Sequence, residues 1–268
     1  MLKKRLIFTL LHDSGKFMLS RNFSLQNVGN LEWLKTNYNF SHISYFIDEL
    51  IILDVTREKR NLEDFCKTLK QLTEGCFVPI AVGGGILGVD AARKLLRSGA
   101  DKIVINSGLF EDNGFIGQLA SEFGEQSVVA SMDIKSSLNQ EFEVWSQNGK
   151  KCEDGSAKYW VERVLEKPVG EIYINSIDRD GTGQGFDLGL LELLPSNFSK
   201  PVILAGGAGS ADHLLAGLND SRVDAVATAN LFNFVGSGLK QARQSLVSHG
   251  IVLPMWDVQL LDQQLLAD

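Results

Sequence analysis

Two stretches of the chain repeat each other at one fixed spacing. Glu49-Leu50-Ile51-Ile52-Leu53-Asp54 aligns in register with Glu171-Ile172-Tyr173-Ile174-Asn175-Ser176, and PIAVGGG (79–85) aligns with PVILAGG (201–207). The offsets agree, since 171 − 49 and 201 − 79 both equal 122, close to half the length of the main body. A chain made of two copies of one half must fold into something with internal two-fold symmetry. Each functional position in one half is then a statement about the other.

Short aliphatic runs recur near 5–11, 49–54, 78–82, 102–106, 127–133, 170–175, 201–205 and 224–229, and they read as eight strands. Continuously apolar runs such as ELIILD fit a parallel sheet buried on both faces. Between them the period is helical: Leu62, Phe65, Cys66, Leu69 and Leu72 share one face, as do Phe115, Ile116, Leu119, Ala120 and Phe123. Eight parallel strands alternating with helices, in two similar halves of four, are what a (βα)8 barrel requires, and 268 residues suit that fold. A doubly wound sheet is the alternative. It does not account for the equal spacing, and no G-x-G-x-x-G follows the first strand. The expected organisation is one barrel over 1–250 and a C-terminal extension over 251–268, with a short amphipathic helix at 258–266. Two long loops, 14–30 and 134–156, follow strands and so belong to the barrel's C-terminal face, where active sites form. The second contains Phe142-Glu143-Val144-Trp145 and a turn signal at Asn148-Gly149, which predicts a small hairpin.

A net charge of −7 with scattered Lys and Arg argues against a nucleic-acid surface. No segment approaches the length of a membrane span. Lys3-Lys4-Arg5 precedes an apolar run of only six residues that meets His12-Asp13, which reads as a first strand and not as a signal peptide. The 3 cysteines, Cys66, Cys76 and Cys152, show no C-x-x-C spacing, so neither a disulfide framework nor a zinc site is indicated. Buried thiols in a reducing cytoplasm are the expectation.

The chemistry belongs at the ends of the strands. Gly83-Gly84-Gly85 follows the third strand and Gly206-Gly207-Ala208-Gly209 the seventh, each before a helix, the second with Ser210 as a ready N-cap. Glycines there let backbone N–H groups approach an anion that the helix N-terminus also favours. Related by the repeat, and joined by Asn106-Ser107 and by Asn230 after Ala229, the two runs predict a pair of phosphate sites and a substrate with two phosphate groups; tight turns without a ligand are the plainer reading. Asp133 closes the fifth strand and Asp54 the second, while Asp178, Asp180, Gly181 and Thr182 follow the sixth. A carboxylate at such a strand end points into the mouth, so Asp133 is the acid/base candidate. Asp180, before a glycine, suits a turn equally well. The repeat places the mate of Asp133 at 133 − 122 = 11, and the residue there is Leu11. Asp13, two positions on, faces the same way about 6.6 Å further along and substitutes for it only if the strand ends differently.

These residues resemble the HisF-type cyclase subunit of imidazole glycerol phosphate synthase. The likeness covers nearly all of residues 1–250 and is carried by MLKKR (1–5), DELIILD (48–54), VGGGI (82–86), GADKIVINS (99–107), GEIYINSIDRDGTGQGFD (170–187) and AGGAG (205–209). The resemblance implies a barrel that takes ammonia from a separate HisH-like glutaminase and uses it on a bisphosphorylated ribonucleotide intermediate, with no cofactor and no metal. It maps phosphate binding onto Gly84, Asn106, Ser107, Asp180, Gly181, Gly206, Gly207, Ala229 and Asn230, and an essential aspartate onto Asp133. It also maps an ammonia gate at the bottom of the barrel onto Arg5, Glu49, Lys102 and Glu171; a salt-bridge plug is the plainer reading of those four. The family's other essential aspartate is replaced by Leu11, and a loop lysine by Leu19. Leu10-Leu11 in an LL-x-x-x-G pattern resembles HisF-like paralogues that work with a glutaminase and a sugar amidotransferase to convert an acetamido group on a surface-polysaccharide sugar into an acetamidino group. The alternatives are the cyclase of histidine biosynthesis and a non-catalytic scaffold that activates a glutaminase.

Overall fold

The computed structural model of the chain describes residues 3–38, 40–74, 76–111, 113–230 and 232–254, and of residues 40–42 the backbone alone. The helix expected at 258–266 lies outside the described residues. The strands are β1 (Arg5–Asp13), β2 (Lys16–Arg21), β3 (Ser24–Asn30), β4 (Glu49–Asp54), β5 (Ile80–Gly83), β6 (Lys102–Ile105), β7 (Val128–Ser136), β8 (Phe142–Ser146), β9 (Lys151–Cys152), β10 (Glu171–Ser176), β11 (Val202–Ala205) and β12 (Ala225–Thr228). The helices are α1 (Leu31–Tyr38), α2 (Leu62–Thr73), α3 (Val89–Arg97), α4 (Phe115–Phe123), α5 (Ala157–Glu166), α6 (Ala211–Leu218) and α7 (Gly238–Ser248).

Eight strands close on themselves in the order β1-β4-β5-β6-β7-β10-β11-β12, with β12 returning to β1 and every pairing parallel. This is the (βα)8 barrel expected from the repeat. In this order β1 stands diametrically opposite β7, and β5 opposite β11. Side chains alternate across each strand. Leu6, Phe8 and Leu10 of β1 point outward into the layer shared with the helices, while Ile7 joins Ile51, Ala81, Val104, Val129, Ile203 and Ala225 in the bore. Each large apolar side chain buried this way contributes roughly 1.5–3 kcal/mol. The helical stripes behave as their period implied: Phe65, Cys66, Leu69 and Leu72 are the buried face of α2, which Asn61 caps by accepting from the Asp64 N–H.

Three features depart from the sequence reading. The crossover from β10 to β11 is a 3-10 segment, Leu188–Leu193, and not an α-helix. Leu194 precedes Pro195 and is held extended at φ −72 and ψ 132, as the residue before a proline must be, which stops the turn from propagating. Next, β1 runs two residues past its expected end, and the long loop after it is an antiparallel pair, β2 with β3. A two-residue turn with Ser14 at φ 51 and Gly15 at φ 82 makes this continuation possible. Last, Cys66 is buried but Cys152 is exposed, because the two-residue β9 lies at the outer edge of the β8–β9 hairpin; the three thiols are free. That hairpin forms where FEVW and Asn-Gly predicted it, with Gln147, Asn148 and Gly149 all at positive φ. Among the described residues no helix is long and apolar enough to cross a membrane.

Candidate active site

The C-terminal ends of the barrel strands and the two hairpins enclose a cavity of about 1040 Å³. Every candidate binding or catalytic residue from Asp54 to Asn230 lines it, Leu11 included. Asp13 is not among the lining residues; it sits at the β1–β2 turn, where its carboxylate accepts from the Ser14 hydroxyl at 2.9 Å.

Asp133 faces the cavity from β7. Its two carboxylate oxygens each accept one amide hydrogen bond, Oδ1 from Asn175 at 2.9 Å and Oδ2 from Asn106 at 3.2 Å. Burial pushes the carboxyl up to about 7; the Asn175 donor opposes this and the nearby Asp180 charge reinforces it. A carboxyl with that proton affinity exchanges a proton readily near neutrality. Across the bore, on β1, stands Leu11. The repeat extends to the neighbours: Asp133 pairs in register with Asn175, and Leu11 pairs in register with Leu53. One side of the mouth is therefore polar and the facing side aliphatic, with Leu19 of β2 also lining it.

The glycine turns lie on opposite walls. Gly84 and Gly85 have φ of 109 and 64, and Gly206 and Gly207 have φ of 90 and 102, backbone that L side chains rarely adopt. A Cβ on Gly84 would come within 2.1 Å of the Asp54 carbonyl oxygen, and one on Gly207 within 2.2 Å of the Gly185 carbonyl oxygen. Both turns are thus obligatory glycine. Ser210 caps α6 behind the second by accepting from His213 N–H. Asn106-Ser107 and Ala229-Asn230 flank the two turns from β6 and β12.

Asp180 and Gly181 line the same cavity and also hold the β2–β3 hairpin. The Asp180 carboxylate accepts from the Ser20 hydroxyl and from Phe23 N–H at 3.0 Å, and its carbonyl accepts from Asn22 N–H at 2.9 Å. A Cβ on Gly181 would come within 1.8 Å of the Ser20 carbonyl oxygen. Together they pin the β2–β3 hairpin over the cavity. Burial raises the Asp180 carboxyl, and Ser20 and Phe23 counter it. Asp54 accepts from Thr56 N–H at 3.0 Å and lies 3.8 Å from the Arg60 guanidinium. Arg21, Arg57, Arg60 and Lys150 also line the cavity and supply the positive charge that an anionic ligand needs. Sequence reasoning missed these four. They lie on the hairpins and the β4–α2 loop, where no period marks which side chains face inward.

At the opposite end of the bore, Arg5, Glu49, Lys102 and Glu171 form a closed ring. Arg5 reaches Glu49 at 2.6 Å and Glu171 at 2.7 Å, and Lys102 reaches Glu49 at 3.0 Å and Glu171 at 2.7 Å. Burial pushes the Glu49 carboxyl up; at Glu171 burial is outweighed by Arg5 and Lys102, which hold it down.

A family model described as "Histidine biosynthesis protein" matches residues 37–236. Among individual proteins, one from Parasynechococcus marenigrum (strain WH8102) is 45% identical over 257 residues, covering 96% of this chain and 95% of its own length. It bears the name "Putative imidazole glycerol phosphate synthase subunit hisF2".

Proposed function

The chain belongs to the histidine biosynthesis protein family, as a HisF-type cyclase of the imidazole glycerol phosphate synthase kind, and on that premise we propose that it is the ammonia-using half of a two-chain amidotransferase. A separate HisH-like glutaminase docks at the barrel's N-terminal end, beside the Arg5-Glu49-Lys102-Glu171 ring, and releases ammonia into the bore. The apolar layer of Ile7, Ile51, Val129 and Ile203 favours passage of the neutral molecule over the ammonium ion, whose desolvation there costs far more. At the mouth, a ligand with two phosphate groups spans the Gly84 and Gly206-Gly207 turns, aided by Asn106, Ser107, Ala229 and Asn230.

Asp133 handles protons on one side of this ligand. At the equivalent position on the other side stands Leu11, and that single observation carries the finer reading. Leu11, backed by Leu53, cannot accept or donate a proton, so a ring closure that calls on two carboxylates loses a factor of about 10²–10⁴ or more. We assign the chain to the divergent paralogues that deliver ammonia for acetamidino modification of a surface-polysaccharide sugar, with a sugar amidotransferase as the further partner. The test is turnover of the imidazole precursor with ammonium salt, with and without a glutaminase. The expected result is no turnover; robust turnover favours the second reading, the histidine-pathway cyclase, which the name of the Parasynechococcus marenigrum relative supports.

A further inference from the structure

Along the bore the inward side chains change character in layers. Thr9 of β1 and Ser131 of β7 stand one inward step above Ile7 and Val129 of the apolar layer; they are repeat mates, since 131 − 9 = 122, and their strands lie on opposite sides of the barrel. Tyr173 of β10 pairs in register with Ser131, and Asp133 with Asn175 lies one inward step higher. Thr9, Ser131 and Tyr173 are 1%, 6% and 6% exposed, and all three line the floor of the cavity. The Thr9 hydroxyl is buried with no hydrogen-bond partner. It lies near enough to Tyr173 to temper that phenol's proton affinity without forming an aligned hydrogen bond. A buried hydroxyl without a partner is costly, so a polar group held there for no structural purpose calls for a ligand.

The geometry points to a binding site for one neutral ammonia molecule, formed by the hydroxyls of Thr9, Ser131 and Tyr173 directly below Asp133. Ammonia has three N–H donors and one lone pair. Hydroxyls both donate and accept, so Thr9 and Ser131 take N–H bonds while the Tyr173 phenol donates to the nitrogen lone pair. Burial raises the Tyr173 phenol, which keeps it protonated and able to donate. The position suits a waiting station: its hydroxyls stand between Ile7 and Val129 below and the Asp133 carboxyl above, beside Ile51 and Ile203. Water shares this hydrogen-bonding chemistry and is the competing occupant. The inference rests on the reading of the chain as ammonia-using.

Hydroxylamine, a neutral analogue with two heavy atoms, separates the two occupants in crystals of the full chain. Elongated density bridging the three hydroxyls is expected in wild type, displaced when excess ammonium chloride is added at a pH where free ammonia is present. Thr9→Val and Tyr173→Phe, both close in shape to the originals, are expected to lose that density while melting within a few degrees of wild type. An unchanged spherical peak in the soaked crystals, hydroxylamine that ammonium chloride does not displace, or equal occupancy in the variants would overturn the site. Occupancy is read without turnover or partner. A site that holds the probe in a chain that proves unable to use ammonia would therefore refute the function alone.

Discussion

At the scale of single residues, Asp133 carries the clearest prediction. Its carboxyl is raised in the folded state to about 7, so between the ordinary carboxylate range and neutrality the folded protein binds more protons than the unfolded chain. Stability contributed by that proton is present at low pH and declines as pH rises towards 7, by at most a few kcal/mol. Asp133→Asn removes the slope: denaturant midpoints of wild type and variant are expected to lie closest below pH 4 and to separate progressively up to pH 8, with the variant the more stable there. Asp133 was legible because it closes an apolar strand. Its amide partners were less so. Asn106 was found as a phosphate candidate, whereas Asn175 was invisible as a partner because the register between β7 and β10 is not written in either strand.

At the scale of elements, the β2–β3 hairpin is held by hydrogen bonds from Ser20, Asn22 and Phe23 to the loop after β10. Gly181→Ala forces a side chain onto φ 67 and into the Ser20 carbonyl, and a strained position of this kind costs on the order of 1–3 kcal/mol. Hydrogen exchange over residues 16–30 is expected to accelerate in Gly181→Ala and in Asp180→Ala, while β4 and β5 keep their protection. Exchange confined to neither segment would mean the hairpin is held otherwise. The two hairpins also show why one loop was readable and the other was not. FEVW alternates and ends in Asn-Gly, whereas Ser24–Asn30 is mostly polar, and its pairing comes from docking on Asp180.

At the scale of the whole molecule, the repeat sets the architecture and its exceptions set the chemistry. The barrel, its two glycine turns and the charged ring were all legible from residues 122 apart or at strand starts. The cations of the cavity were not, since loops carry no period. The ring is a coupled unit in which Lys102 serves both Glu49 and Glu171. Lys102→Met leaves buried carboxylate uncompensated and is expected to cost roughly 3–5 kcal/mol in denaturant titration. Adding Glu49→Gln is expected to recover much of that loss, whereas an additive double variant would mean the four charges act separately. The account stands or falls on the unequal halves of the mouth. Its most direct test is the rate of ammonia-dependent conversion of the imidazole precursor by Leu11→Asp beside wild type. The prediction is turnover in the variant and none in wild type; a variant that binds the precursor yet stays inert, or a wild type that already turns over, would contradict it.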